Sequence, residues 1–519
     1  MLKAILRFER LAVFLVCAIG GPTSAQTAIL ENLVEWHQLA GVSVVTRCGE
    51  DISLEVHDGF KDIDDSLQID WETKFRVASI SKAVVALVTA KLAEQGTIDL
   101  EDAIGQYLED APFHPAHPTT AITLRHLLTH TSGIRDGSGY SGFLTETYAA
   151  LPSAPALSAV LGEGGTFYTT DMWGSAAPGA YFHYANLNFG VLATVLEAAS
   201  GMRFDQLMSD LLFSPYGLDA GFKVHDLQDV AQLAALYRQV DGAWVPQVDH
   251  LNGELPDAPD WSVYTPGTNA VGFAPQGGLR ISARDLSVIT RLWSHGTALG
   301  VDGAPLTFLG EAGLEALKAP RWSYAGDNGN NYYGLFNQWS DGLHLAASGL
   351  GEDEVIPDVS VSPFIGHPGE AYGLISDAYA TPGGEWNVVF VTNGKWDGYS
   401  SGAASAFYQV EQDVFAAVRE DLIGCLSSTT EDVQPDQWSL LVTPKTGDTL
   451  LVLQHAATED GPIRCRLNDA TGRLIFEGVA FSEGTRHTVE VSALQPGMHY
   501  LSIGPDSGPV SRFGFLVPH

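Results

Sequence analysis

Two hydrophobic rhythms divide the chain, and the change between them falls near Cys425. Gly41 to Arg47 (GVSVVTR) crowds β-branched residues into a short run, which predicts a strand. Ala78 to Leu92 (ASISKAVVALVTAKL) sets alanine and leucine at helical spacing and is stopped by Gly96, which predicts a helix. Leu187 to Ala199 and Phe204 to Leu212 read as further helices. Trp386 to Thr392 (WNVVFVT) is an unbroken apolar run ended by Asn393-Gly394, the pattern of a strand buried on both faces. Ala403 to Leu422 predicts a long helix. From Cys425 to Gln437 (CLSSTTEDVQPDQ) the periodicity lapses into a polar linker. Beyond it, Trp438 to His519 holds short alternating runs between turns, TLLVLQHA, RLIFEG and HTVEVSAL among them. That pattern predicts a small all-β sandwich of about eighty residues.

Length and charge narrow this picture. A chain of 519 residues exceeds one ordinary domain, so two or three folding units are expected. Acidic residues outnumber basic ones, 62 to 27, for a net charge of -35. A field of that sign repels phosphate backbones and anionic head groups, which argues against nucleic-acid and membrane-surface roles. At the N-terminus, Lys3, Arg7 and Arg10 precede an apolar run, Leu11 to Ile19, that is too short to span a bilayer. Thr23 and Ala25 then place small residues before Gln26, so export with cleavage after residue 25 is expected. Cys17 is preceded by Val16, where a lipid-anchored cysteine needs a small residue. No other run reaches the roughly 20 uninterrupted apolar residues of a membrane span.

Three short motifs carry candidate chemistry. Ser79-Ile80-Ser81-Lys82 is the single S-x-x-K of the chain and starts the expected Ala78 helix. Positions i and i+3 share a helix face, so hydroxyl and amine can touch. A buried amine has a lowered pKa and can take the serine proton, while the helix N-terminus offers N–H groups to an oxyanion. Tyr184-Ala185-Asn186 opens the Leu187 helix, with a phenol for proton relay and an amide to orient a substrate. His367-Pro368-Gly369 precedes a strand-rich stretch. Its glycine permits close backbone approach, and the Glu370 N–H can donate to an oxyanion.

In that order, S-x-x-K, Y-x-N and H-x-G resemble the β-lactamase-related, penicillin-recognising serine hydrolases, in the branch of class C β-lactamases, D-amino-acid peptidases and esterases. The flanking text is similar too: FRVASISKAVVALVTAKLAEQGTIDLEDAIGQYL, ITLRHLLTHTSGI from Ile122, SPYGLDAGF from Ser214 and PQGGLRISARDL from Pro275. The resemblance covers roughly Ala28 to Leu422. It implies an α+β fold, an antiparallel sheet flanked by helices plus an all-helical subdomain between Ser79 and the sheet's return. The implied division is a signal peptide over 1–25, a catalytic domain over 26–425, a linker over 426–437 and the β-sandwich over 438–519. By the same resemblance Ser79 is the nucleophile, Lys82 and Tyr184 share proton transfer, and Asn186 contacts substrate. Ser79 and Glu370 N–H groups form the oxyanion hole beside Gly369, and His367 stands where the family's K-T-G has its lysine. No cofactor or metal is implied. In this fold Cys48 and Cys425 end elements on one sheet, so a bridge between them and three free thiols at Cys48, Cys425 and Cys465 both stay open.

The implied reaction is acyl transfer to Ser79 followed by hydrolysis of a small ester, amide or peptide outside the cytoplasm. Esterase action is expected first, because His367 is neutral near pH 7, Pro368 has no hydroxyl, and Glu370 repels an anion. D-Ala-D-Ala carboxypeptidase or β-lactamase action is the alternative, and a catalytically silent binding or adhesion protein is a third. Several features are decoys. Lys445-Thr446-Gly447 lies past the linker, and Gly398-Tyr399-Ser400-Ser401-Gly402 lacks the strand-to-helix turn of a nucleophile elbow. His126 with His130, and the Asp327 to Asn331 loop, lack metal-site spacing. The C-terminal module resembles the sorting domain of the type IX secretion system, through RCRLNDATGRLIFEGV, VEVSALQPGMHYLSI and SRFGFLV. Secretion machinery is therefore an expected partner, although Val517-Pro518-His519 replaces that family's basic finish.

Overall fold

The computed structural model describes residues 29–429, apart from 31, 252–253, 347–354, 357–360, 362, 396–399 and 403–405, and then seven strands between 438 and 517. The expected signal segment and most of the expected linker lie outside the described residues. In chain order come β1 (Gly41–Cys48), β2 (Asp51–Asp62), β3 (Leu67–Gln68), β4 (Lys74–Arg76) and α1 (Ile80–Glu94). There follow α2 (Tyr140–Ala149), α3 (Leu187–Ser200), β5 (Leu236–Val240), β6 (Ala243–Val248), β7 (Arg280–Ser282) and α4 (Ala283–His295), then β8 (Thr297–Leu299) and β9 (Pro305–Thr307). The chain returns through β10 (Trp322–Ser323), β11 (Gln338–Trp339), β12 (His344–Ala346), β13 (Phe364–Ala371), β14 (Leu374–Ala380), β15 (Trp386–Thr392), β16 (Gly394–Lys395) and α5 (Gln409–Thr429).

Nine strands form one antiparallel sheet in the order β10-β11-β12-β13-β14-β15-β1-β2-β3. Its central pairing, Val42 with Thr392 through Cys48 with Trp386, joins the two ends of this unit. That explains why WNVVFVT is apolar throughout. Val389 and Val391 enter the core against α1 and α4, while Val388 and Phe390 enter the core against α5. Each such side chain contributes about 1.5–3 kcal/mol by leaving water, and Phe390→Ala would cost about 3–5 kcal/mol through the cavity it leaves. Of the two arrangements left open for the cysteines, the Cys48–Cys425 bridge is the one present, with Cα atoms 5.5 Å apart, and it ties β1 to α5.

Three boundaries differ from the sequence reading. The last helix runs four residues past Cys425, to Thr429, into the expected linker. The expected helix from Phe204 ends at Met208, and Ser209–Phe213 continue as a wider π-helical turn. The region between Ser79 and the sheet's return is not all-helical: it also carries the hairpins β5–β6 and β8–β9, and β7 pairs back with β4.

After α5 come β17 (Trp438–Lys445), β18 (Asp448–His455), β19 (Ile463–Asp469), β20 (Leu474–Glu483), β21 (Arg486–Ser492), β22 (Gly497–Gly504) and β23 (Ser511–Val517). They pair antiparallel in the order β17-β18-β21-β20-β19-β22-β23. The long β20 pairs through its end with β21 and through the rest with β19.

Candidate active site

Ser79 sits at the N-cap of α1, immediately after Ala78, whose φ of +45° is a left-handed backbone that side-chain-bearing residues rarely adopt. The turn leaves Ser79 part-exposed while the helix behind it is buried. One helical turn on, Lys82 is fully buried and its Nζ donates to Ser79 Oγ at 2.9 Å and to Gln276 O at 2.6 Å. Burial disfavours its ammonium and lowers its pKa to about 7, with Asp136 pulling the other way. Nζ also lies 4.9 Å from the centre of the Tyr184 ring.

Tyr184 is held from several sides. His130 stacks on it at 4.3 Å and accepts from Ala185 N–H, Phe336 stacks at 5.4 Å, and Tyr332 Oη donates to Tyr184 O. Burial pushes the Tyr184 phenol well above its usual range, so it stays protonated, and a hydrogen bond with Ser79 pulls modestly the other way. Its Oη comes within 3.5 Å of His367 Nε2. His367 Nδ1–H donates to Pro368 O at 2.5 Å, which leaves Nε2 as an acceptor facing the phenol. Burial, with Lys82 beside it, holds the His367 imidazole neutral, well below its usual pKa.

The third motif lies inside β13 rather than before a strand. Its odd positions face α1. A Cβ on Gly369 would sit 2.6 Å from Val77 O and 3.2 Å from Ser79 N, so only glycine lets this strand run against the nucleophile's amide. Pro368 pairs across with Asp377 on the opposite face. Glu370 turns that way too, where Tyr408 Oη donates to its carboxylate at 2.8 Å. The expected repulsion of anions by Glu370 is therefore corrected: its backbone flanks the Ser79 side, and its charge does not.

Ser79, Lys82, Tyr184, His367 and Gly369 thus converge. Asn186 is near them, but its N–H donates to Asp136 Oδ2 at 2.7 Å and its side chain also bonds Asp136. Asp136, which the sequence reading missed, takes the Asn186 and Leu187 amides at the start of α3 and adds negative charge near Lys82. His130 and the Gln276 carbonyl were missed as well. His126 and His130, considered for a metal, are structural: His126 Nδ1 accepts from Thr123 N–H, and His130 braces Tyr184. Elsewhere, Asp62, Asp64 and His250 bring ligand atoms within 4.8 Å of one another, on β2, its following turn and the segment after β6. Lys445 ends β17, in the C-terminal strands, and Ser401 makes a backbone bridge to Tyr408 beside α5.

This geometry is that of a serine acyl-transfer site on an antiparallel sheet, and the sequence comparison agrees. Residues 27–404 match the Beta-lactamase family model, and the chain belongs to that family. Penicillin-binding protein 4* of Bacillus subtilis is 28% identical over 37% of this chain and 39% of its own length. The carboxypeptidase/endopeptidase AmpH of Escherichia coli is 31% identical over 28% and 35%. The chain therefore spans only about two fifths of the former's length and a third of the latter's. Among solved structures, the octameric penicillin-binding protein homologue from Pyrococcus abyssi aligns over 92% of this chain and 97% of its own, with a TM-score of 0.53 and 16% identity. EstCE1, a hydrolase with promiscuous acyltransferase activity, covers 75% and 97% at TM-score 0.53 and 20% identity. These likenesses establish the fold. No helix among the described residues is long and apolar enough to cross a membrane.

Proposed function

We propose that the protein is a serine hydrolase that forms an acyl-enzyme on Ser79 and acts first of all on esters whose leaving group carries no carboxylate. One observation carries this reading: a fully buried Lys82, whose pKa burial lowers to about 7, lies with its Nζ 2.9 Å from the hydroxyl of a part-exposed serine. Neutral Lys82 takes the Ser79 proton as Oγ attacks the carbonyl carbon. The carbonyl oxygen gains its charge against the Ser79 and Glu370 N–H groups. The C–O or C–N bond to the leaving group then breaks, and the proton passes to it from Lys82 through the protonated Tyr184. In the second half water attacks the acyl carbon, its proton passes through Tyr184 and Lys82 to Ser79 Oγ, and the Oγ–acyl bond breaks to release the acid and restore the serine. Asn186 orients the substrate, and no cofactor takes part.

The preference against a carboxylate rests on the leaving-group side. β-Lactams and D-Ala-D-Ala peptides bring a carboxylate there, and His367 is a neutral imidazole beside a proline that has no hydroxyl. The D-peptidase reading keeps support from AmpH and from a D-amino acid amidase of Ochrobactrum anthropi SV3, similar at TM-score 0.51 and 16% identity. A fluorophosphonate and a fluorescent penicillin, with mapping of the modified peptide, test the nucleophile. Ser79 is the expected adduct, and a Ser400 adduct with Ser79 unmodified would overturn it. Nitrocefin or a D-Ala-D-Ala peptide beating a short 4-nitrophenyl ester tenfold in kcat/KM would replace the esterase reading.

Export completes the proposal. The mature chain begins at Gln26, the Cys48–Cys425 bridge suits an oxidising compartment, and residues 438–519 form a type IX sorting module read by secretion machinery. N-terminal sequencing of secreted material checks the first point. Undiminished export after deletion of 438–519, with the module intact on wild-type secreted protein, would leave it a stabilising or binding unit.

A further inference from the structure

The active-site cleft has a second end. Along β13, His367 lies beside Tyr184 and Lys82, while Tyr372, just past the strand, lies beside Arg76, whose guanidinium is 5.1 Å from its ring centre. Ser79 stands between the two ends, because Gly369 passes its amide. The leaving group must be where its proton is delivered, at the Tyr184 end. The acyl half of the substrate therefore extends toward Arg76.

Arg76 is built into this end. Its Nε donates to Gly277 O at 2.9 Å, one residue from the Gln276 carbonyl that takes Lys82. That bond is its only one among the described residues, so both terminal nitrogens are without a partner. The groups acting on it are Arg280, Asp249, Tyr372 and Tyr148. Asp249 is already taken by Arg280, at 2.6 and 3.1 Å, and cannot neutralise both cations. Lys223 adds a third nearby positive charge, facing Asp226, which accepts from the Lys223 N–H, and Asp205, which is already paired with Arg203 at 2.7 and 2.9 Å. Four cations (Arg76, Arg280, Lys223 and Arg203) against three anions (Asp249, Asp226 and Asp205) is an inversion in a chain of net charge -35. A guanidinium fork with free N–H groups in a half-buried setting matches a planar carboxylate. Tyr148 and Tyr372, both 39% exposed, flank the approach with aromatic surface.

We infer that Arg76 forms an acyl-side anion subsite, so that the favoured substrates carry a carboxylate on the acyl half and none on the leaving group. This rests on Ser79 acting as the nucleophile. The two ends then select by opposite rules: the His367 end offers no cation, and the Arg76 end offers one without a counter-ion.

The probes are 4-nitrophenyl hydrogen adipate and its methyl ester, which share leaving group and chain length and differ in one acyl-side charge. Wild-type kcat/KM should favour the acid tenfold or more. Arg76→Gln should lower the acid-to-ester ratio at least tenfold, and Arg76→Lys should lower it less, keeping the charge but losing the fork. The ratio is read because Arg76 also holds Gly277, and a shared loss in both substrates cancels. A wild-type ratio at or below one, or a ratio unmoved by Arg76→Gln, overturns the subsite while leaving the Ser79 reading intact. Failure to turn over either ester, with no Ser79 adduct, overturns both.

Discussion

Strand β13 separates two sets of buried ionisable groups, and comparing them shows what turns burial into chemistry. Toward α1, His367 and Gly369 meet Lys82, Tyr184 and Ser79. Toward α5, Pro368 and Glu370 lie with Asp377 of β14 and Glu411 of α5, which are 0% and 4% exposed. Charge is disfavoured on both faces. Lys82 falls to about 7, and burial raises the Asp377 and Glu411 carboxyls, with the neighbouring carboxylate of Glu411 adding to the rise of Asp377 and that of Glu370 to the rise of Glu411. The α1 face adds a nucleophile within hydrogen-bond reach and an opening to solvent. On the α5 face Asp377 and Glu411 are buried, and among the described residues no nucleophile lies against them. A perturbed ionisation marks a site only when a reactive group and access accompany it.

The sharpest way to break this contrast is to remove the amine. Lys82→Ala should lower kcat/KM for an activated ester by about 10²-fold or more, and Tyr184→Phe by a similar factor. The acid limb carries the same information. Lys82 must be neutral to take the serine proton, so wild-type kcat/KM should fall as pH drops through about 7, toward tenfold for each further pH step of one. A flat profile from pH 5.5 to 8.5, or near-normal rates in both variants, would mean that another group accepts the proton.

Local patterns show why the active face was the more legible one. S-x-x-K is read from one helical turn, and α1 forms where alanine and leucine spacing places it, within two residues at each end. WNVVFVT matches β15 residue for residue, because a strand buried on both sides needs no polar positions. Long-range partners were not legible. Asp136 reaches Asn186 across fifty residues, and Gln276 O meets Lys82 across 194. No short window holds such pairs. The side-chain directions on β13 were also hidden, since H-P-G reads as a turn until its pairing with β14 fixes the register. That is why Glu370 was expected to point at substrate.

The disulfide tests the comparison next, since it joins β1 to the α5 side only. Replacing both Cys48 and Cys425 by alanine should cost about 2–4 kcal/mol of stability, seen as a lower Tm in thermal melts. Ester hydrolysis at 25 °C should stay within about twofold, because the bridge lies across the sheet from Ser79. A large loss of kcat with Tm unchanged would mean that α5 governs the site directly.

The smallest expected effect concerns Asp377 and Glu411. Their folded pKa values are raised, so the protonated pair contributes stability that is fully present below the ordinary carboxylate range and is lost as pH rises through the folded values. Lys82 acts with the opposite sign. Its folded value is depressed, so its contribution grows as pH rises above about 7. The wild-type stability curve mixes the two and cannot be read alone, but a variant isolates one. Asp377→Asn removes a charge from the α5 face and leaves Glu411 an amide to bond. It should raise the stability at pH 9 relative to that at pH 6, compared with wild type, in urea unfolding at the two pH values. Activity should be unchanged within twofold, as Asp377 faces away from Ser79. If Asp377→Asn left the pH dependence of stability as in wild type, the carboxyl pair would have to be ionised in the folded protein, and the two faces of β13 would no longer be alike in disfavouring charge.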